Sequence, residues 1–213
     1  MRNKKVVIID YGLGNLLSLS RAIQMLGYDT LITKSKSEIE NSGIVILPGV
    51  GSFDTGMKNI YKHELKECII RSINKGNKLL GICLGMQLFF NGSEETKKNI
   101  KGLGIIKGNI LSLEKKLTDK TAKVPHIGWS NFDKLYKKNF VSLSINKKDQ
   151  MYYVHSFFAQ PKNKKIIIAS TEYFNISIPA IIKAENIIGF QFHPEKSGKK
   201  GLKLLEFFLH GNN

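Results

Sequence analysis

The chain has 213 residues, with 42% hydrophobic and 23% charged content, so it is long enough to bury a sizeable core and gross disorder is excluded. No apolar run approaches the ~20 residues that a membrane-spanning helix needs, and the run at 6–9 is too short for a signal-peptide core, so we expect a cytoplasmic protein without membrane contact. The formal charge of +16 comes mostly from lysines that are dispersed along the chain. Arginine, which suits contacts to phosphate and bases, occurs only at Arg2, Arg21 and Arg71. No nucleic-acid partner is therefore predicted.

Strand and helix patterns alternate along the first part of the chain. Apolar runs rich in β-branched residues predict strands, and apolar positions at helical spacing predict helices. In chain order these are a strand at 5–10, a helix at 15–26 that stops at Gly27, strands at 28–33 and 44–47, a helix at 53–74, a strand at 78–82 and a helix that begins over 84–91. Because continuous apolar strands separated by helices are typical of parallel sheets, we expect a parallel sheet with both faces covered.

The pattern changes after residue 100, where strands follow one another with short polar connections. They are predicted at 102–104, 110–113, 151–158, 166–170, 178–184 and 187–192, and a final helix is predicted at 201–209. No internal repeat or linker interrupts the chain. The predicted fold is therefore one α/β domain over residues 1–213, with a central, mostly parallel sheet that is flanked by helices and extended by antiparallel strands.

The two cysteines have different surroundings. Cys68 lies at an apolar position of a predicted helix and is expected to be a buried hydrophobic side chain, and neither cysteine has the spacing of a disulfide framework or a zinc site. Cys83 lies between Gly81 and Gly85, where a buried strand turns into a helix. Small residues on both sides allow a sharp turn that projects the side chain, and the positive end of the helix favours a thiolate. Cys83 is thus a candidate nucleophile, with a structural cysteine between packing glycines as the alternative.

A candidate base and acid follow the last predicted strand. His193 and Glu195 flank Pro194, which restricts the backbone so that both side chains can lie on one side of the turn. Glu195 would then hold the imidazole in its productive tautomer. Because sites in parallel sheets gather at the carboxyl ends of strands, His193 and Cys83 are expected to meet there. A structural histidine at the end of a strand is the alternative.

A glycine-rich turn follows the strand at 44–47. Gly49 and Gly51 lie in Pro-Gly-Val-Gly-Ser-Phe at 48–53. Such turns expose backbone N–H groups that can stabilise an oxyanion, although any tight turn has a similar composition. The position of this turn, just before the strand that leads to Cys83, favours the oxyanion interpretation.

At these three segments the chain resembles the class I, triad-type glutamine amidotransferases, and it is most similar to the glutaminase subunits of imidazole glycerol phosphate synthase, from histidine biosynthesis. The matching stretches follow family order over almost the whole chain, at 10–15, 48–53, 81–87, 124–129, 153–156 and 191–198. The Pro-Gly-Val-Gly turn, the methionine after the nucleophile turn and His-Pro-Glu-Lys-Ser-Gly are particular to this subunit.

The resemblance implies a role for each matching residue. Cys83 would attack the glutamine side-chain amide, His193 would carry protons and Glu195 would orient it. The backbone N–H groups of Val50 and Leu84 would form the oxyanion hole. The residues that would bind glutamine are Gly51, Gln87, Glu95, His155, Ser156 and Phe157. No metal or organic cofactor is implied.

The resemblance also implies a partner, a (β/α)8-barrel cyclase subunit that forms a heterodimer with this chain and receives the ammonia. The residues on partner-facing motifs are Asn15, His126, Trp129 and Lys196. Since members of this family are poorly active without a liganded partner, we expect the Gly49–Val50 peptide to reorient on activation, a change that glycine makes easy.

Two departures from the family pattern leave the pathway open. Ser130 stands where the family usually has Asn, and the segment 172–175 lacks the glycine that commonly follows its tyrosine. A similar subunit that supplies ammonia for bacterial surface sugars is therefore an alternative. Three functions of different kinds also stay open. They are a cysteine peptidase or γ-glutamyl hydrolase that acts alone, a non-catalytic basic protein that binds nucleic acid, and a basic surface for an anionic substrate or acidic partner.

Overall fold

The computed structural model describes residues 5–96, 100–136 and 145–210. The strands are β1 (Lys5–Ile9), β2 (Asp29–Thr33), β3 (Ile44–Leu47), β4 (Lys78–Ile82), β5 (Gly92–Ser93), β6 (Gly108–Ser112), β7 (His126–Asn131), β8 (Lys134–Leu135), β9 (Gln150–His155), β10 (Phe157–Pro161), β11 (Ile167–Tyr173), β12 (Ile176–Ala184) and β13 (Ile187–Phe190). The helices are α1 (Leu16–Met25), α2 (Lys36–Asn41), α3 (Phe53–Lys62), α4 (Leu65–Asn74), α5 (Leu84–Gln87), α6 (Leu113–Lys116) and α7 (Gly198–His210).

A large mixed sheet organises the molecule. Over the described residues it has eight strands in the order β2-β1-β3-β4-β13-β12-β11-β8. The first five of these strands are parallel, and β12, β11 and β8 extend the sheet with antiparallel pairs. Two smaller sheets, β10-β6-β5 and β7-β9, are separate from it in strand pairing but contact its strands β12 and β11. The predicted α/β class, with a mostly parallel sheet and antiparallel additions, is confirmed.

Both faces of β1, β3, β4 and β13 are buried. In β1, Val6 and Ile8 pack on one face and Val7 and Ile9 on the other, as the twofold period of a strand requires. Residues of α1 and α7 cover the first face, and residues of α2, α3 and α4 cover the second. Continuous apolar sequences are therefore stable in these four strands, whereas the edge strand β2 is only partly buried.

Several predicted elements have different bounds in the structure. The helix predicted at 53–74 is two helices, α3 and α4, because the chain breaks at Glu64 with a left-handed φ of 52°. The helix predicted to begin over 84–91 is the short α5, which ends at Gln87. No strand forms at 102–104, and the strand predicted at 151–158 is the two strands β9 and β10.

Other elements were not predicted at all, among them α2 and β7. In β7 the apolar side chains of Ile127 and Trp129 are exposed, whereas His126 is buried. No helix in the described ranges is long and apolar enough to cross a lipid bilayer.

Candidate active site

Cys83 occupies a sharp turn between β4 and α5. Its φ of 51° and ψ of −110° are strained for a residue with a Cβ atom. The glycines on both sides are required by packing. A Cβ on Gly81 would lie 2.5 Å from the Phe89 ring, and one on Gly85 would lie 1.8 Å from the Leu47 carbonyl oxygen. The spacing Gly-x-Cys-x-Gly therefore builds a turn that the rest of the fold locks in place.

His193 and Glu195 lie beyond the end of β13, which is the parallel neighbour of β4. His193 Nδ1 lies 2.9 Å from Glu195 Oε1, and both side chains are almost fully buried. The other ring nitrogen, Nε2, is buried without a hydrogen-bond partner among the described residues. Burial alone would lower the pKa of His193, but the neighbouring Cys83 and Glu195 outweigh burial and raise the pKa to about 10. The three predicted catalytic residues are therefore brought together.

The glycine-rich turn packs directly against the turn at Cys83. A Cβ on Gly49 would lie 2.9 Å from Leu84 Cβ and 2.4 Å from the Tyr11 hydroxyl oxygen, so no larger residue fits. The Tyr11 hydroxyl donates a hydrogen bond to the Pro48 carbonyl oxygen at 2.6 Å and fixes the start of the turn. Leu84 is the first residue of α5, so its N–H group has no acceptor within the helix.

A cavity of about 410 Å³ opens above Cys83. Every residue that was predicted to bind glutamine or to form the oxyanion hole lines it. The lining comprises Val50, Gly51, Cys83, Leu84, Gln87, Glu95, Pro125, Val154, His155, Ser156, Phe157 and Lys196. Its volume is within the range of small-molecule sites, and its lining combines apolar side chains with a few polar groups.

Two polar side chains of the cavity are anchored by backbone groups. Gln87 Nε2 donates a hydrogen bond to the Phe157 carbonyl oxygen at 2.9 Å. Glu95 Oε2 accepts one from the Phe53 N–H at 2.8 Å, at the start of α3, and burial raises the pKa of this carboxyl group. Both side chains are thus oriented before any ligand enters.

Comparison with known proteins places this geometry in a family. The class-I glutamine amidotransferase family matches residues 7–211. The chain is a class I glutamine amidotransferase. Its resemblance to one branch of the family is also confirmed: proteins named imidazole glycerol phosphate synthase subunit HisH are 41% identical in Lactococcus lactis (97% of this chain, 98% of the relative) and 45% identical in Caldanaerobacter subterraneus (94% and 95%).

Solved structures of the same fold are more distant in sequence. The structure of PurLQS from Thermotoga maritima matches with a TM-score of 0.73 at 16% identity, covering 98% of both chains. The glutaminase domain of Trypanosoma brucei CTPS matches with a TM-score of 0.64 at 13% identity, covering 98% of this chain and 95% of that one. These similarities support the fold of this amidotransferase.

The four residues predicted to face a partner have different positions in the amidotransferase. Trp129 is 53% exposed, and Lys196 lines the cavity, with its Nζ 5.8 Å from the centroid of the Tyr152 ring. Asn15 caps α1, where its side chain accepts a hydrogen bond from the Ser18 N–H. His126 is 2% exposed, so its side chain lies behind the surface of the chain.

Three further residues belong to the site although sequence analysis did not identify them. Pro125 and Val154 line the cavity, and the Val154 carbonyl oxygen lies 3.8 Å from Cys83 Sγ. Tyr11 fixes the glycine-rich turn. All three lie within matching motifs, but nothing in their residue types alone indicates these contacts. Within the described residues, no group of three or more His, Cys, Asp or Glu side chains could hold a metal ion.

Proposed function

We propose that this chain is the glutaminase subunit of an imidazole glycerol phosphate synthase, which hydrolyses L-glutamine at Cys83 and delivers ammonia to a (β/α)8-barrel cyclase subunit. The observation that carries the proposal is the cavity, in which the nucleophile turn meets all the residues expected to bind glutamine. The full-length relatives with this name support the assignment to a synthase subunit. They do not favour the surface-sugar alternative.

The first half of the proposed reaction forms a thioester. The Cys83 thiolate attacks the side-chain amide carbon of glutamine, and the amide oxygen becomes an oxyanion that the N–H groups of Leu84 and Val50 stabilise. Protonated His193 then transfers its Nε2 proton to the amide nitrogen. The C–N bond breaks, ammonia leaves and a glutamyl thioester remains. The raised pKa of His193 supports this step, because the imidazole keeps its proton beside Cys83 at neutral pH.

The second half of the reaction hydrolyses the thioester. Neutral His193 accepts a proton from water at Nε2 while the water oxygen attacks the thioester carbon. When the C–S bond breaks, glutamate leaves and the pair of thiolate and imidazolium is restored. Glu195 accepts the hydrogen bond from Nδ1 throughout, so that Nε2 stays directed at the reacting atoms.

Binding of glutamine is assigned to the six predicted residues of the cavity lining. Gln87 and Glu95 are already oriented by backbone groups, and the carboxylate of Glu95 suits the α-amino group of the substrate. Gly51 and the residues at 155–157 also line the cavity.

The ammonia would pass to the cyclase across the face that carries Trp129. Its indole is half-exposed, as expected of an interface residue that is buried only on association. We assign Asn15 and Lys196 to the same contact region and His126 to a supporting position behind it. Activation by the liganded partner is proposed to reorient the Gly49–Val50 peptide.

The deciding experiment is glutamine hydrolysis by the purified chain, alone and together with the cyclase encoded in the same genome and its ribonucleotide ligand. We expect weak activity alone, strong stimulation in the complex and no activity with Cys83→Ala. Stimulation by a surface-sugar partner instead would assign the chain to that branch. Full activity without any partner would refute the proposed reorientation. The triad would be refuted if no partner gave activity and a glutamine analogue did not label Cys83.

A further inference from the structure

A chain of hydrogen bonds runs from β7 into the glutamine cavity. Ser130 Oγ lies 2.9 Å from His126 Nε2, and His126 Nδ1 lies 3.1 Å from His155 Nε2. At the inner end, His155 Nδ1 lies 3.0 Å from the carbonyl oxygen of Phe157, which lines the cavity. Neither Ser130 nor His126 lines the cavity, so these bonds connect a neighbouring strand to it.

The acceptor at the inner end fixes the direction of every bond. A carbonyl oxygen can only accept, so His155 carries its proton on Nδ1, and in the neutral ring its Nε2 is an acceptor. His126 must therefore donate from Nδ1, which leaves its own Nε2 as the acceptor for the Ser130 hydroxyl. Both histidines are thus Nδ1–H tautomers, and Ser130 is the terminal donor.

The surroundings of the two rings keep them neutral and fixed. His126 and His155 are 2% and 6% exposed, and His126 stacks on the rings of Tyr153 and Tyr173, at centroid distances of 5.1 and 4.2 Å. Burial lowers the pKa of His126 to about 4 and that of His155 to about 3. The hydrogen bond between the two rings therefore has one proton and one lone pair, as the geometry requires.

The Phe157 carbonyl oxygen accepts a second hydrogen bond, from the nucleophile side of the cavity. Gln87 Nε2 donates to the same oxygen at 2.9 Å and lies 3.3 Å from Gln191 Oε1, and Gln191 Nε2 lies 3.8 Å from Cys83 Sγ. The carbonyl thus stands between the nucleophile side of the cavity and β7.

We propose that His126 and Ser130 are positioning residues for glutamine binding, which act through His155 on the Phe157 carbonyl. The inference rests on the proposed function, since it takes this cavity to be the glutamine site. It also gives the cavity a mechanical link to the exposed face of β7, because Ile127 and Trp129 alternate with His126 and Ser130 along the strand. A contact that displaces β7 would move the backbone that holds the substrate.

Two substitutions of His126 separate hydrogen bonding from packing. In His126→Phe the aromatic stack is kept and the donor is lost, whereas in His126→Asn the amide nitrogen replaces Nδ1 and the stack is lost. In the complex with the cyclase, we expect His126→Phe to raise the glutamine KM roughly 3- to 10-fold with kcat within about twofold, as the loss of one buried hydrogen bond implies. His126→Asn should keep the KM near the wild-type value despite a lower thermal stability. The opposite order of the two KM values would overturn the proposal.

The outer end of the chain provides a milder test. Ser130→Ala removes the terminal donor and frees His126 to change tautomer, and we expect the KM to rise about 2- to 5-fold. Ser130→Thr retains a hydroxyl and should restore the wild-type KM. An unchanged KM in Ser130→Ala would refute the role of Ser130. Because Ser130 is only partly buried, the variant should fold even if His126→Phe does not.

The tautomers themselves can be observed independently of activity. The chain has five histidines, so a long-range ¹H–¹⁵N spectrum of the uniformly labelled protein can assign each ring. We expect Nδ1–H tautomers for His126 and His155 in the wild type, and a changed pattern for His126 in Ser130→Ala. An Nε2–H tautomer at either ring would overturn the proposal.

Failure of the proposed function and failure of the positioning role give different results. If the wild-type complex does not hydrolyse glutamine, the proposed function fails. If the wild-type complex hydrolyses glutamine normally and the variants have an unaltered KM, only the positioning role is refuted.

Discussion

Glu195→Gln tests the charge of the triad without changing its shape. The side-chain amide oxygen of the new residue at position 195 can still accept the hydrogen bond from His193 Nδ1, so the imidazole ring should keep its orientation. The negative charge 2.9 Å from the ring is lost, in a place where both side chains are almost fully buried. A hydrogen bond to a charged group contributes about 1.5–3 kcal/mol, so kcat/KM for glutamine should fall about 10- to 100-fold.

The pH profile of the same variant distinguishes this effect from misfolding. Glu195 is one of the groups that raise the pKa of His193 against the opposing effect of burial. Without its charge the pKa of His193 falls, the proton on Nε2 is lost at lower pH, and the alkaline limb of kcat/KM should move to lower pH. Glu206→Gln, the same change on an exposed part of α7, is the matched control and should leave the profile unaltered. An alkaline limb at the wild-type position in Glu195→Gln would refute the reasoning.

Three other substitutions test separate features. Gly85→Ala places a Cβ 1.8 Å from a backbone oxygen of β3, so the free energy of unfolding of this variant, measured in urea, should fall by about 2 kcal/mol or more. The control Gly43→Ala has open space around the new Cβ and should change this free energy by less than about 0.5 kcal/mol. Trp129→Ala removes a half-exposed indole and should weaken cyclase binding at least about tenfold in calorimetry without lowering the melting temperature; unchanged affinity would place the interface elsewhere. Cys68→Ala should leave covalent labelling by a glutamine analogue intact, because Cys68 is fully buried and burial raises the pKa of its thiol. Loss of labelling in Cys68→Ala, with labelling retained in Cys83→Ala, would contradict the assignment of the nucleophile.

The catalytic segments were predictable because their signals are local. The glycines beside Cys83 and the proline beside His193 are adjacent in sequence to the side chains they position. Both segments were expected at the carboxyl ends of strands. The parallel pairing of β13 with β4 was not, because the strand at 187–192 was predicted among the antiparallel additions. The fold class was predictable for a similar reason, since continuous apolar strands indicate a sheet that is covered on both faces.

The features that were missed depend on contacts between distant segments. The apolar spacing of 53–74 continues through Glu64, and no glycine or proline marks the break. In β7 the alternation is inverted, with apolar side chains exposed and the polar side chain of His126 buried, so the usual pattern of a half-buried strand is absent. The burial of His126 likewise follows from its contacts with Tyr153 and Tyr173, which no local motif encodes.

The pairing of β4 with β13 determines when the protein acquires its chemistry as it folds. Cys83 follows β4, but the base that activates it follows β13, which is synthesised far later and pairs with β4 as one of the most non-local contacts in the sheet. A chain that is still being translated therefore carries a thiol without its base, and cannot release ammonia before its last strand is in place. In refolding experiments, labelling of Cys83 by a glutamine analogue should consequently recover later than the helical signal, and simultaneous recovery would show that the two strands pair early.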